Sequence, residues 1–139
     1  MITLSDIRQA QQKINPYIFK TPQIFSSILS KNDQNIYLKL ESMQITGSFK
    51  LRGASNKLLS LSEEQKGKGV VAVSTGNHGK AVAHAAKKLN IESKIFMSEL
   101  VPTHRRMAIE ALGAEIIIIG KNSDEADHEA RSYAKKNNI

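Results

Sequence analysis

Short apolar runs alternate with helical patterns along the second half of the chain. The runs GVVAVS, SKIFMS and AEIIIIG are continuous and rich in β-branched residues, which is typical of buried strands. The segments that follow them have helical periodicity: NHGKAVAHAAKKLN, THRRMAIEALG and SDEADHEARSYAKKNN. Strands and helices that alternate in this way indicate a parallel sheet covered on both faces. The pattern therefore predicts an α/β fold, with Gly113 at a helix C-terminus just before the third strand.

The first half of the chain predicts less regular structure. SDIRQAQQKI has one apolar helical face, and Ser5 is placed to cap its N-terminus. The two prolines of NPYIFKTPQI predict an extended connection, and the alternation in NIYLKLE predicts a strand from Asn35 to Glu41. A loop then leads into a helix from about Lys50 to Leu59. Ser62 and Gln65 have the spacing of a capping box for a short further helix.

Composition is that of an ordinary globular protein. The 139 residues suffice for one domain with its own core, and 40% hydrophobic and 24% charged residues argue against a disordered chain. No apolar run approaches the roughly 20 residues of a membrane span, and the N-terminus has no secretory pattern. With no cysteine, thiolate metal sites, disulfides and cysteine nucleophiles are excluded. We therefore expect a cytoplasmic protein that does not enter a membrane.

The net charge of +7 raises the question of a nucleic-acid partner. The basic residues are scattered in pairs within helical patterns, such as Lys87-Lys88 and Arg105-Arg106, and do not form one stripe. Only three Tyr and four Phe are available to stack on bases, and no nucleic-acid-binding motif accompanies the charge. We expect no nucleic-acid partner.

The segment VVAVSTGNHGKAVAHAAKKL is a candidate anion site. A buried strand that runs through a glycine-containing loop into a helix leaves backbone N–H groups free at the helix N-terminus, where a phosphate or carboxylate can bind. A Walker loop is excluded because Gly76 and Gly79 are too close together and Lys80 is followed by alanine; the G-x-G-x-x-G dinucleotide pattern is absent. The alternative is a tight turn with glycines for backbone reasons only.

The motifs TGSFKLRGA and STGNHG, in this order, resemble the pyridoxal-phosphate enzymes of the second fold type. The threonine/serine dehydratase and serine racemase branch is most similar, and the resemblance runs on through MAIEALGAEIIII. It implies that residues 51–139 form a small α/β domain. It also implies that residues 1–50 contribute to a large domain and carry the lysine loop, and that the part binding the cofactor phosphate lies beyond the chain.

The resemblance assigns roles to particular residues. Lys50 resembles the lysine that bonds to the aldehyde of pyridoxal 5′-phosphate, and Phe49 resembles the residue that packs on the cofactor ring. We expect Phe49 to bury Lys50 partly, which would lower the pKa of the lysine. Asn77 matches the asparagine that hydrogen-bonds the cofactor 3′ oxygen. The substrate carboxylate is expected to bind the loop formed by Ser74, Thr75, Gly76, Asn77 and His78.

The reaction implied by the resemblance is an α,β-elimination. Lys50, once freed, removes the α-proton of a β-hydroxy amino acid, hydroxide leaves, and the products are a 2-oxo acid and ammonia. Alternatives within the family are a serine racemase-like activity and the hydroxyectoine-utilisation dehydratases. An alternative of another class is a non-catalytic α/β binding remnant. The partners expected are a small amino acid and, for the full-length protein, further copies of the same chain.

Several positions depart from the family pattern or have a simpler explanation. Thr75 stands where serine racemases carry a catalytic serine, which disfavours racemisation. The glycine-rich run that binds the cofactor phosphate is missing, so we expect an N-terminal part that is inactive alone. We expect Arg52 and His84 to be structural. Asp124, Asp127 and His128 are expected to form a solvated helix face, so no metal site is predicted.

Overall fold

The computed structural model describes all 139 residues and contains six helices, five strands and two short 3₁₀ turns at Asn15–Tyr17 and Glu41–Met43. In chain order the helices and strands are α1 Leu4–Ile14, β1 Gln23–Phe25, β2 Tyr37–Lys39, α2 Lys50–Leu59, α3 Glu63–Lys68, β3 Val70–Val73, α4 Asn77–Lys88, β4 Ser93–Met97, α5 Thr103–Glu110, β5 Glu115–Ile118 and α6 Ser123–Asn137. No helix has the length and apolar character that a membrane crossing requires.

The second half folds into the parallel sheet that the sequence predicts. Its three strands lie in the order β3-β4-β5, and all neighbours are parallel. The register places Ala72 beside Ile95, and Ile95 beside Ile116. Because β3 pairs with β4 alone, its other edge is open. The α/β prediction is confirmed, including the helices that connect consecutive strands.

Helices cover both faces of this sheet. Side chains alternate between the two faces of a strand, and in β4 the buried Ile95 and Met97 belong to the core cluster formed with α4 and α5. Phe96 points the other way and contacts Tyr133 of α6, with ring centroids 5.5 Å apart. The continuous apolar run of β4 therefore reflects burial on both faces.

Helices α2 and α4 pack against each other in the centre of the molecule. The buried side chains of α4 are mostly alanine methyl groups, which let another helix approach closely. On the α2 side, Leu51, Ala54 and Leu58 are buried in the same cluster. This packing matters for the site because each helix begins with residues that the sequence singles out: Lys50 for α2 and Asn77 for α4.

Local capping signals were predicted with one error. The side chain of Thr3, not Ser5, caps α1, because its hydroxyl accepts the Asp6 N–H while the Asp6 carboxylate accepts the Thr3 N–H. The capping box formed by Ser62 and Gln65 at the start of α3 is confirmed. Gly113 has φ +99°, the left-handed conformation expected after a helix end.

The N-terminal third differs most from the prediction. The extended connection predicted for NPYIFKTPQI begins with a 3₁₀ turn and ends in β1, which pairs antiparallel with β2. The predicted strand of residues 35–41 is shorter, at Tyr37–Lys39. Ile24 pairs with Leu38 on one face of the hairpin, and Phe25 contacts Tyr37 on the other, with ring centroids 5.6 Å apart. Both faces are exposed, and most exposed large apolar side chains of the molecule lie in residues 1–49.

Candidate active site

Lys50 is the first residue of α2, and its side chain is exposed. Its Nζ atom lies 4.8 Å from the centroid of the Phe49 ring, within the range of a cation–π contact. Phe49 is itself 59% exposed. The predicted partial burial of the lysine is therefore wrong for this chain, because no element of residues 1–139 packs over Phe49 and Lys50.

The loop before Lys50 is held by one buried amide. The side chain of Gln44 accepts the N–H groups of Phe19 and Ile45 at 2.8 and 3.1 Å and donates to the Phe19 carbonyl at 2.8 Å. Further along this loop, the hydroxyls of Thr46 and Ser48 are buried and have no hydrogen-bond partner. Buried hydroxyls are normally paired, so the loop offers two unused polar groups directly before Phe49.

The loop after β3 is organised by Ser74. Its hydroxyl accepts the N–H of Gly79 at 2.8 Å and that of Gly76 at 3.3 Å, which draws the first turn of α4 onto the end of the strand. A side chain at Gly79 would not fit easily, because an added Cβ would lie 2.8 Å from Ile109 Cδ1. At Gly76 an added Cβ would meet nothing within 4 Å. The space before the helix N-terminus is therefore open.

The N-terminus of α4 has no side-chain cap. The first N–H groups of a helix have no partner within the helix and carry partial positive charge, so they favour an anion. Asn77, the first residue of α4, is exposed, and its amide makes no hydrogen bond within the chain. The arrangement is suited to a carboxylate or another anionic group.

Lys50 and His78 lie close enough to affect each other electrostatically. Partial enclosure of the imidazole ring lowers the pKa of His78 below its usual value, and the positive charge of Lys50 lowers it further. Two motifs that are well separated in sequence are thus brought together by the packing of α2 on α4. At neutral pH the His78 ring is neutral and has one acceptor nitrogen. The individual roles of Lys50, Phe49, Asn77 and the Ser74–His78 loop stay predictions.

These residues suit one end of pyridoxal phosphate. Pyridoxal phosphate is an aldehyde on a flat aromatic ring that carries polar substituents. The exposed amine of Lys50 suits its aldehyde, the exposed ring of Phe49 suits its aromatic ring, and the free N–H groups at the start of α4 suit an anionic group. Residues 1–139 contain no glycine-rich run that would hold the cofactor phosphate. The residues present therefore fit the lysine-bound end of the cofactor.

A cavity lies beside the site and not at Lys50 itself. It has a volume of about 590 Å³ and follows the open edge of β3, between α2 and the end of α6, with His78 on its wall. Lys50 and Asn77 do not line it. No cluster of three or more His, Cys, Asp or Glu side chains suitable for a metal ion is present. Asp127, expected above to lie on a solvated helix face, pairs with Arg131 at 2.6 Å.

Comparison with known proteins agrees with this arrangement. Residues 14–139 match the family described as pyridoxal-phosphate dependent enzyme. The whole chain is similar to the catabolic L-threonine dehydratase of Staphylococcus aureus strain N315, at 46% identity over 141 residues. Among solved structures, it matches maize serine racemase with a TM-score of 0.89 and 34% identity over 98% of the chain. It matches threonine deaminase isoform 2 of Solanum lycopersicum with a TM-score of 0.86 and 33% identity over 99%.

The chain spans less than half the length of these proteins. It covers 41% of the staphylococcal dehydratase and 42% of both the racemase and the deaminase structures. More than half of each of these proteins therefore has no counterpart among the 139 residues.

Proposed function

Because the chain belongs to the family of pyridoxal-phosphate-dependent enzymes, we propose that it supplies the lysine side of the active site of an amino-acid dehydratase. The reaction is the α,β-elimination of a β-hydroxy amino acid such as serine or threonine to a 2-oxo acid and ammonia, as an ammonia-lyase carries it out. The observation that supports this most directly is that Lys50 and Asn77 begin two helices, α2 and α4, that pack against each other. The 46% identity to a threonine dehydratase favours the same substrate class.

Each residue has a task in this proposal that follows from its position. The cofactor, when bound, supplies the electron sink at the substrate α-carbon. Lys50, as the neutral amine, accepts the proton from that carbon. The first N–H groups of α4 bind the substrate carboxylate, and Ser74 orients them through its bond to Gly79. Asn77 would donate a hydrogen bond to the oxygen on the cofactor ring, and Phe49 would pack on the face of that ring.

Removal of the β-hydroxyl needs a proton, since hydroxide is a poor leaving group. His78 is assigned the delivery of this proton in the proposal, because its pKa is lowered by partial enclosure and by the charge of Lys50, which makes its protonated form readier to give up a proton. Thr75 stands where a racemase would need a second acid or base on the opposite side of the substrate. Its β-methyl group restricts approach of the hydroxyl, which favours elimination over racemisation.

The domain division is part of the proposal. Residues 51–139 form the small α/β domain, and residues 1–50 belong to a larger domain completed by other parts of the protein. Support comes from the β1–β2 hairpin, whose apolar faces are both exposed; a two-stranded hairpin of this kind is marginal by itself. The open edge of β3, with its cavity, is a second surface that further chain could cover.

Covalent trapping tests the role of Lys50. The natural gene product that contains residues 1–139 is incubated with pyridoxal phosphate and reduced with borohydride, and the peptide masses are measured. A lysine-bound cofactor should give a yellow absorbance at about 410 nm, as Schiff-base chemistry predicts, and reduction should fix its mass on Lys50. The matched variant Lys57→Ala, on the same helix, should behave as wild type, and Lys50→Ala should not be labelled.

Trapping on another lysine, or no band and no labelling at all, would remove the proposed function. A non-catalytic remnant of the fold would give this second result.

A further inference from the structure

A cluster of hydrogen-bonded side chains contacts the first turn of α2, the turn that carries Lys50. Arg52 donates from Nε to Glu41 Oε2 at 2.9 Å and from one terminal nitrogen to Glu41 Oε1 at 2.7 Å. The Thr21 hydroxyl donates to the same Oε1 at 2.5 Å, and Lys39 Nζ donates to the Thr21 carbonyl at 2.6 Å. Three segments that are distant in sequence are thereby joined at one carboxylate.

The cluster is well shielded and remains charged at all ordinary pH values. Thr21 is 2% exposed, and the side chains of Glu41 and Arg52 are 18% and 31% exposed. Hydrogen bonding from Arg52 is the main cause that lowers the pKa of Glu41 to about 2, and the hydroxyl of Thr21 contributes. A two-pronged Arg–carboxylate pair also fixes the relative orientation of both groups.

The first turn of helix α2 has little local stabilisation of its own. Cations in the first turn of a helix oppose its dipole, and α2 begins with Lys50 and Arg52 and no acidic residue. The N-cap position, Phe49, makes no side-chain hydrogen bond. The first turn of α2 therefore lacks the local fixing that Thr3, Ser62 and Asn122 give to α1, α3 and α6.

The geometry of the helix links Arg52 to Lys50. Successive residues are rotated by about 100°, so a side chain two residues further on projects from nearly the opposite side of the same turn. Lys50 therefore projects towards His78 and the open loop, and Arg52 projects from the other side of the turn, where it bonds to Glu41. A shift or rotation of this turn would displace the lysine Nζ by a similar or larger amount, since Nζ lies at the end of a long side chain.

We propose that Thr21, Glu41 and Arg52 are positioning residues, which fix the first turn of α2 so that Lys50 reaches the reacting centre. This inference rests on the proposed function of Lys50. It adds two residues, Thr21 and Glu41, that act through Arg52 and touch neither cofactor nor substrate. It also assigns a purpose to a partly exposed ion pair that spans the proposed boundary between residues 1–50 and 51–139.

The test uses the natural gene product with its cofactor and the variants Glu41→Gln, Arg52→Lys and Thr21→Val. Asp127→Asn is the control, since it breaks an Arg–carboxylate pair on α6 in the same chemical way. Melting temperature, kcat and KM for L-serine or L-threonine, and the rate of borohydride trapping on Lys50 are measured. Hydrogen–deuterium exchange of residues 46–54 is followed without cofactor.

We expect kcat to fall about 10- to 100-fold in Glu41→Gln and Arg52→Lys, because a misplacement of about 1 Å costs on this order. KM should change less than about 3-fold, trapping should slow in parallel with kcat, and exchange of residues 46–54 should rise. Thr21→Val should show a smaller effect of the same kind, and it keeps the ion pair if the other variants do not fold. Asp127→Asn should leave all four measurements unchanged.

Wild-type trapping on Lys50 together with unchanged kcat, trapping and exchange in all three cluster variants would overturn the inference and leave the proposed function standing. A lower melting temperature with these three measurements unchanged would overturn it as well, because the cluster would then be structural only. If wild type is not trapped on Lys50, the proposed function itself has failed.

Discussion

Gly53 and Gly79 offer a matched test of how closely α4 must approach the end of β3. Gly79 lies in the first turn of α4, and Gly53 lies in the first half of α2. Replacing glycine by alanine in a helix gains about 0.5–1 kcal/mol, mainly because glycine loses more backbone entropy on folding. That gain applies to both positions, so a difference between the two variants reports on packing.

The surroundings of the two glycines differ sharply. At Gly53 an added Cβ meets nothing within 4 Å, so we expect Gly53→Ala to be stabilised by the full helix gain. At Gly79 the added Cβ would lie 2.8 Å from Ile109 Cδ1 and 3.3 Å from the Ser74 carbonyl oxygen. Ile109 is fully buried and cannot move freely. Overpacking of this kind costs about 1–3 kcal/mol, and movement of Ser74 would also strain its 2.8 Å bond to the Gly79 N–H.

The expected result is a difference of about 2 kcal/mol between the two variants. Gly79→Ala should unfold at lower urea concentration than wild type, and Gly53→Ala at higher concentration, measured by circular dichroism with equal m-values. Equal stability of Gly79→Ala and Gly53→Ala would refute the reasoning, because it would mean that α4 does not pack against Ile109 of α5 and Ser74 as closely as the distances require.

Three further predictions concern charge and activity. The pKa of Glu41 is lowered from 4.5 to about 2. The ionised carboxylate therefore stabilises the fold above pH 4.5, and this stabilisation is lost as the pH falls towards 2. The full shift corresponds to about 3 kcal/mol, and solvent screening of this partly exposed group reduces the expected loss of folding free energy to about 1–2 kcal/mol. Acid titration of unfolding should show this loss in wild type and not in Glu41→Gln. Burial lowers the pKa of His84, and the charges of Lys88 and Lys87 lower it further. Protonation of His84 below about pH 6.5 should therefore destabilise the fold. The variant His84→Leu should show a weaker pH dependence of the melting temperature. Residues 1–139 alone should release negligible ammonia from serine or threonine, whereas the natural gene product should be active and its Lys50→Ala variant nearly inactive; full activity of the isolated chain would show that the phosphate site lies within it.

The second half of the fold could be predicted because each strand carries its own signal. GVVAVS, SKIFMS and AEIIIIG are buried on two faces and so are apolar throughout, and the helices between them have clear periodicity. The predicted runs exceed the observed strands by one residue at most ends, for example 93–98 against Ser93–Met97. Strand ends are set by the ladder of hydrogen bonds, which a local apolar pattern does not specify.

The N-terminal hairpin could not be predicted in the same way. Ile24 and Phe25 follow a proline in a short apolar run without alternation, and their partners Leu38 and Tyr37 lie more than ten residues further on. Pairing of that kind depends on distant residues and leaves little trace in local sequence. The N-cap of α1 was misplaced by two residues for a related reason, since Thr3 and Ser5 are both good caps and only the reciprocal bond from Asp6 decides between them.

The sequence predicted the motifs of the candidate site but not the contacts that hold them in place. Lys50 and the Ser74–His78 loop were found by resemblance, and the structure brings Lys50 near His78. Arg52 was expected to be structural, but nothing in the sequence indicated its partner Glu41, which was predicted as the last residue of the strand 35–41. An ion pair between separate segments depends on how the fold brings them together. The only sign of this pair in the sequence was that two oppositely charged residues flank one loop.

Lys50 lies at the proposed boundary between residues 1–50 and residues 51–139. This boundary runs through the first turn of α2, so in the proposed division both parts of the chain contribute to the position of the lysine. Residues 51–139 hold the body of α2 through Leu51 and Leu58 in the core. Residues 1–50 hold the loop through Gln44 and the turn through Glu41. In the proposed division the lysine thus lies where the two parts of the chain meet, and the Glu41–Arg52 ion pair joins them there.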